Sequence, residues 1–324
     1  MKTDKKWKKW AMFFAVSCLL IGVIFASGQG VGTSQKQIVL VSKVIDDRND
    51  FWTAFVQGAR MAAKEYGVEL SVVGPETETE YELQGAMIEE AVKSAPDAIV
   101  LVPSGYTETL PFAKKIEEAK IPFVVVDSVM EEEMGSCVVA TDNVEAGRKM
   151  GNYIVEHMGG VIKIGVVAHV KGTSTATERE AGLREGLGKL EGKIAEVVFC
   201  DSDYGKAYQV TKEMLEKYPE INVIAGLNEY SSVGAARAIN DLGLKGKIRM
   251  IGFDSSMKEV GYLEDGTFEA IVVQKPLNMG YLCVEKTLQM LNREDIPKMV
   301  DSGSVLITKD TMYTEENQKL LFPF

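Results

Sequence analysis

Short β-branched runs alternate along this chain with longer amphipathic stretches. Ile38-Val39-Leu40-Val41 predicts a strand. From Phe51 to Tyr66 the apolar positions Phe51, Phe55, Ala59, Ala62 and Tyr66 recur at intervals of three and four, one face of a helix that Gly67 stops. The alternation continues with a strand from Val68 to Val73, a helix around Leu83 to Val92, the strand Ala98 to Val102, a helix through Phe112 to Ala119 and the strand Phe123 to Val126. It then restarts. Helix Val144 to His157 leads to strand Ile162 to Val167, helix Thr177 to Leu190, strand Ala195 to Phe199 and helix Ala207 to Tyr218. Strand Val223 to Gly226, helix Val233 to Leu242 and strand Ile248 to Ile251 follow, then strand Phe268 to Val273, helix Leu277 to Leu291 and a last strand, Val305 to Thr308. Helices of this length between strands imply parallel sheets with right-handed crossovers, hence an α/β chain of two doubly wound, Rossmann-like lobes.

The first residues break the pattern. Lys2, Lys5, Lys6, Lys8 and Lys9 stand against Asp4 alone, and an uncharged run from Trp10 to Val31 follows. This reads as a basic head with an apolar core, Ala11 to Phe25, and small residues Ala26-Ser27-Gly28 that look like a signal-peptidase site. An uncleaved membrane anchor competes on even terms. A lipidated Cys18 is a lesser alternative, because Leu19-Leu20-Ile21 follows it instead of a polar linker. No later run is long and apolar enough to span a bilayer, so the body is expected outside the cytoplasm, in the periplasm or on the outer face of the membrane.

At 324 residues with 46% hydrophobic and 26% charged residues, the chain is globular. Asp and Glu outnumber Lys and Arg 47 to 36, for a formal charge of −11, which argues against nucleic acid as a partner. Cys137, Cys200 and Cys283 lack paired spacing and read as buried apolar thiols. Two histidines, His157 and His169, are little material for a metal site or a Ser-His-Asp triad, and each reads as a surface or satisfied polar residue. No metal, cofactor or catalytic group is expected. Gly28-Gln29-Gly30-Val31-Gly32 has no strand before it, and Asp201-Ser202-Asp203 lacks the Gly and Glu of a calcium loop.

Open parallel sheets bind ligands beyond the carboxyl ends of their strands. There the chain carries Asp127, Asn228, Asp254 and Gln274 as planar donors and acceptors, Arg179 as a fork of donors, and Phe51, Trp52 and Tyr204 as flat apolar faces. A monosaccharide needs both kinds of contact, hydrogen bonds to its hydroxyls and an aromatic plane against its C–H face. Each residue also has a plainer role. Asp127 can cap the next turn, Arg179 can form a solvated ion pair, Asn228 can cap a helix, and Asp254 can cap one starting at Ser255. Phe51 and Trp52 are adjacent, so one of them can be core. Tyr204 sits in a loop-like stretch.

From Gln37 to Val305 the chain resembles the periplasmic sugar-binding proteins of the ribose-binding type, the receptors of ABC importers. The resemblance is carried by Asn49-Asp50-Phe51-Trp52 with Gly58, Ile121-Pro122 ahead of Asp127, and Thr141-Asp142-Asn143 with Gly147. It continues through Gly172-Thr173-Ser174 with Arg179-Glu180-Ala181-Gly182, then Asn228, Gly252-Phe253-Asp254 and Gln274. It implies the type 1 periplasmic binding protein fold, two lobes on a three-segment hinge near Thr141-Asp142, Gln274-Pro276 and Ser302-Gly303. The lobes would be 37–141 with 275–302, and 142–274 with 303–324, after a leader and linker at 1–36. Residue by residue, it implies sugar contacts from Asn49, Phe51, Trp52 and Asp127 on the amino-terminal lobe, and from Arg179, Tyr204, Asn228, Asp254 and Gln274 on the other lobe and hinge. Ser128 stands where an arginine would pair with Asp127, and Val102 where an asparagine is expected.

The resemblance implies an extracytoplasmic receptor that closes on a monosaccharide and delivers it to an ABC permease. The alternative is a membrane-anchored sugar sensor that signals to a histidine kinase. A sugar-regulated repressor would need a DNA-binding headpiece where the export segment lies. A glycosidase would need Asp127 and Asp254 as an acid/base pair.

Overall fold

The computed structural model describes residues 35–322. The basic head, the apolar run, Cys18 and the Gly28 to Gly32 stretch lie outside the described residues. The first half of the chain runs β1 (Gln37–Val41), α1 (Asp50–Tyr66), β2 (Glu69–Val73), α2 (Tyr81–Lys93), β3 (Ala98–Leu101), α3 (Leu110–Glu118), β4 (Phe123–Val126) and β5 (Val138–Ala140). The second runs α4 (Asn143–His157), β6 (Ile164–Ala168), α5 (Ser174–Leu187), β7 (Ile194–Phe199), α6 (Tyr204–Lys217), β8 (Val223–Gly226), α7 (Glu229–Asp241), β9 (Arg249–Phe253), α8 (Met257–Glu264) and β10 (Phe268–Gln274). Helix α9 (Pro276–Leu291) then leads to β11 (Met299–Asp301), β12 (Ser304–Thr308) and α10 (Glu315–Leu321).

Two six-stranded sheets result, ordered β11-β5-β4-β3-β1-β2 and β12-β10-β9-β8-β6-β7. Their interior strands are short unbroken apolar runs because helices cover both faces. Every residue of Ala98–Leu101 and of Phe123–Val126 is buried. Edge strand β2 is only half-buried. Among the described residues all pairings between named strands are parallel except β12 on β10, where Ser304 sits opposite Gln274. The chain enters β12 beside the end of β10, so it must run backwards along it.

Each sheet fixes a helix pair through glycine. A Cβ on Gly58 would stand 1.9 Å from the Leu277 carbonyl oxygen, so α1 and α9 touch backbone to backbone. In the other lobe a Cβ on Gly147 would stand 2.2 Å from the Arg179 carbonyl oxygen, and α4 is pressed on α5 in the same way. These close approaches set Phe51 beside the start of α9 and Arg179 beside the start of α4.

Three segments join the lobes: β5 to α4, β10 to α9, and β11 to β12. Their side chains are tied together. Thr141 donates its hydroxyl to Gln274 Oε1 at 2.8 Å and lies 3.1 Å from Ser302 Oγ. Cys137, Cys200 and Cys283 are buried free thiols, and burial pushes the Cys200 thiol up to about 12. No described helix is long and apolar enough to cross a membrane.

The structure moves several predicted boundaries. Helices α5, α6 and α7 start at Ser174, Tyr204 and Glu229, ahead of the first periodic apolar residues, because Thr173, Asp203 and Asn228 cap them. Strands β5 and β11 and helix α10 were not anticipated, and the helix expected from Ser255 starts at Met257.

Candidate functional site

The carboxyl ends of both sheets face each other across one crevice. Its wall includes Asn49, Phe51, Trp52 and Asp127 from one lobe and Arg179, Asn228, Asp254 and Gln274 from the other lobe and hinge. Tyr204 stands behind it. Far from being in a loop, this residue opens α6, packs its ring on Tyr230 at 4.7 Å, and bonds its hydroxyl to the Glu229 carboxyl.

On the first lobe, Asn49 caps α1 by accepting the Trp52 amide at 3.1 Å, which points the first turn of that helix into the crevice. Phe51 and Trp52 are both buried and both line it, meeting edge to face at 4.9 Å. Neither is core alone. Trp52 donates its indole N–H to Glu78, and the Lys43 ammonium lies 5.2 Å from its ring centre. Asp127 adopts φ 64°, a left-handed conformation that aims its carboxylate away from the next turn. Its Oδ2 pairs with Lys43 at 2.8 Å and accepts the Ser128 hydroxyl at 2.9 Å. The cation therefore comes from the end of β1 and not from position 128. Burial pulls the Lys43 ammonium down, but Asp127 and then Glu78 outweigh it and hold it above its ordinary value.

On the second lobe, Arg179 is 3% exposed, so it is not a solvated ion pair. Its guanidinium stacks on Phe253 at 4.0 Å, donates Nε to Asn143 Oδ1 at 2.8 Å and Nη1 to the Leu227 carbonyl at 2.8 Å. Among the described residues no carboxylate lies at ion-pair distance from it, and its second terminal nitrogen makes no hydrogen bond. Burial lowers its pKa, with Asp254 and Asp127 opposing. Asp254 mirrors Asp127 with φ 85°. It accepts from Gln274 Nε2 at 2.8 Å and from the Glu229 amide at 2.9 Å. It does not cap α8, because Ser256 does so through a capping box with Glu259. Asn228 does cap α7, and among the described residues its Nδ2 makes no hydrogen bond.

Side chains close the crevice from opposite lobes. The Phe51 amide donates to Glu229 Oε2 at 3.2 Å, Asn49 Nδ2 donates to the Tyr204 hydroxyl at 3.4 Å, and the Tyr230 hydroxyl donates to Asp46 at 3.1 Å. Burial pushes the Glu229 carboxyl up to about 8. With the lobes this close, the free volume in the crevice is about 20 Å³, room for one water. A sugar ring needs them further apart.

Six further residues line the crevice: Lys43, Thr175 and Glu229, which fall in the loops expected after strands but carried no assigned role, His169, which read as a surface or satisfied residue, and Glu78 and Tyr230, which sequence reasoning passed over. His169 is buried and is neither a surface residue nor fully satisfied. His157 is exposed. On the far side of Phe51 a wider cavity of about 340 Å³ runs past Ala54, Met257, Pro276, Leu277, Leu321 and Phe322. It shares Phe51, Asp254 and Gln274 with the crevice and also carries Lys275, Asn278 and Lys319, but Asn49, Asp127, Arg179 and Asn228 line the crevice alone, so the polar groups of both lobes converge there.

Residues 38–295 match the family model described as periplasmic binding protein domain. The ribose import binding protein of Bacillus subtilis (strain 168) is 23% identical over 299 residues, covering 92% of this chain and 96% of that protein. A crystal structure of a sugar transporter from Clostridium phytofermentans has 47% identity and a TM-score of 0.81, over 85% of this chain and all of the other. An ABC transporter solute-binding protein from Agrobacterium vitis, with bound D-fucose, has 30% identity and a TM-score of 0.84, over 88% of this chain and 100% of its own.

Proposed function

As the chain belongs to the periplasmic binding protein family, we propose that it is an exported receptor that closes two lobes on a monosaccharide and delivers it to an ABC permease. The observation that carries this is the convergence of Asn49, Phe51, Trp52 and Asp127 with Arg179, Asn228, Asp254 and Gln274 on one crevice. The named ligands of similar proteins support it. The residues offer what a neutral polyol takes: acceptors on Asp127 and Asp254, donors on Arg179 and Asn228, and an apolar face on Phe51 and Trp52. Tyr204 is assigned a supporting place, holding Asn49 and Glu229 across the cleft.

We take the lobes as 37–141 with 275–302, and 142–274 with 303–324. Opening exchanges the bonds between Phe51 and Glu229, and between Asn49 and Tyr204, for solvent. The sugar then replaces them on closing, and the closed population rises by the ligand's differential affinity for that form. Gln274 links the two events, since its amide holds both Asp254 in the crevice and Thr141 in the hinge. No covalent step is needed, and hinge movement alone releases the ligand to a permease.

The test is thermal denaturation of the purified protein against D-ribose, D-allose, D-fucose, D-arabinose, D-tagatose, glucose and galactose. At about 100 times its Kd a sugar stabilises the native state by about 2.7 kcal/mol, a rise of several degrees. At least one sugar should produce it and be recovered unchanged. A panel without any rise, or sugar consumed in an Asp254-dependent reaction, would overturn the proposal.

A further inference from the structure

His169 follows β6 at the floor of the crevice and is 2% exposed. Its Nε2 lies 2.8 Å from the hydroxyl of Thr175, in the first turn of α5. Its Nδ1 is buried and meets no donor or acceptor among the described residues. Among the described residues one other buried side-chain atom shares that condition, Glu259 Oε1, and Glu259 is not part of the crevice wall. A buried nitrogen without a partner is costly, and a residue serving only the core would be replaced by an apolar one without that cost.

The surroundings fix what His169 can do. Burial, reinforced by Arg179 and Lys43, holds its pKa well below the usual histidine value, so the ring is neutral. A neutral imidazole carries one proton, and the Thr175 hydroxyl, which has no other bond, can either donate to Nε2 or accept from it. Nδ1 can therefore present a lone pair or an N–H. The matching ligand group is one that also both donates and accepts, a hydroxyl.

We propose that His169 is a ligand-contacting residue that reads one hydroxyl of the sugar through Nδ1, with Thr175 holding the ring in place. A hydroxyl there can accept from Arg179 or Lys43 while donating to the ring. A carboxylate in its place would meet the Asp127, Asp254 and Glu78 carboxyls that already line the crevice. This assignment rests on the sugar-receptor proposal and adds to it the atom that selects for a particular hydroxyl.

The experiment is calorimetric titration of wild type, His169→Phe, His169→Asn and His169→Gln, using the sugar with the largest thermal shift and its monodeoxy analogues. Asparagine sets an amide near the Nδ1 position, whereas glutamine reaches the Nε2 position and keeps only the Thr175 bond. Phe and Gln should weaken binding by about tenfold or more, and Asn should recover most of it. One deoxy sugar should bind wild type about tenfold more weakly than its parent, yet bind His169→Phe no worse than the parent does, since the two changes remove the same bond. A merely structural role would lower the melting temperature without that coupling. The assignment of His169 fails if Gln matches wild type while Asn does not, if no deoxy sugar shows the coupling, or if all three variants bind like wild type. If wild type responds to no sugar, the receptor proposal falls and this one falls with it.

Discussion

The two lobes build the same half-site by different means. Each places an aspartate just past a central strand in a left-handed conformation, Asp127 at φ 64° and Asp254 at φ 85°. Their partners differ. Asp127 is held by a buried ammonium, Lys43, whose charge it consumes, and by Ser128. Asp254 is held by neutral donors, Gln274 and a backbone amide, while the lobe's cation, Arg179, is anchored by neutral acceptors and an aromatic face. The first lobe has therefore spent its cation on its own stability. The second keeps a guanidinium edge unbonded, and the strongest ligand contacts should lie there.

Breaking the ion pair should give the largest effect. Lys43→Met leaves Asp127 charged, buried and unpaired, which costs about 3–5 kcal/mol of stability by chemical denaturation, and Asp127→Asn in the same chain should restore most of it. A loss below about 1 kcal/mol would show that Lys43 is not what sustains that lobe. Next comes Arg179→Ala, expected to weaken sugar binding by about 100-fold with a smaller loss of stability, because it removes a charge-assisted donor from the ligand. Equal effects of the two changes on binding would erase the contrast between the lobes.

A smaller effect concerns pH. Glu229 has its carboxyl pushed up to about 8, chiefly by burial, and burial also raises Asp254 and Glu259. A carboxyl whose folded pKa exceeds its unfolded one favours the native state while protonated. The stability Glu229 confers is thus fully present below about pH 4.5 and is lost as pH rises toward 8. Glu229→Gln should raise the melting temperature at pH 8.5 and reduce the slope between those limits. An unchanged slope in the variant would mean that Glu229 does not carry it. The smallest expected change is Tyr204→Phe, a few-fold loss of sugar affinity from loosened Asn49 and Glu229. A loss as large as that of Arg179→Ala would put Tyr204 in contact with the ligand.

Much of the fold was legible because buried parallel strands are written as unbroken apolar runs, such as Phe123-Val124-Val125-Val126. Strands β5 and β11 were not, since each has three residues and exists by pairing with a distant segment. Helix α8 did leave a local sign, the capping box Ser256-Met257-Lys258-Glu259, which a search for apolar periodicity passes over. The late helix starts have one cause. The first turns of α5, α6 and α7 are polar because they serve caps and the crevice, so apolar periodicity begins only a turn later. Asp127, Arg179 and Asp254 could be picked out by their place after strands and glycines. Lys43 could not, because its partner Asp127 is reached only through the pairing of β1, β3 and β4. His169 was hidden by being judged as a residue type, when what distinguishes it is one unbonded nitrogen.

The central claim is that both lobes grip the same small ligand, and titration calorimetry of one sugar against Asp127→Asn and Arg179→Ala tests it most directly. Wild type should bind one sugar per chain, and each variant should lose most of that heat while still unfolding in one cooperative transition, Asp127→Asn at a lower temperature because it leaves the buried Lys43 ammonium without its partner. Full binding by either variant would contradict the claim.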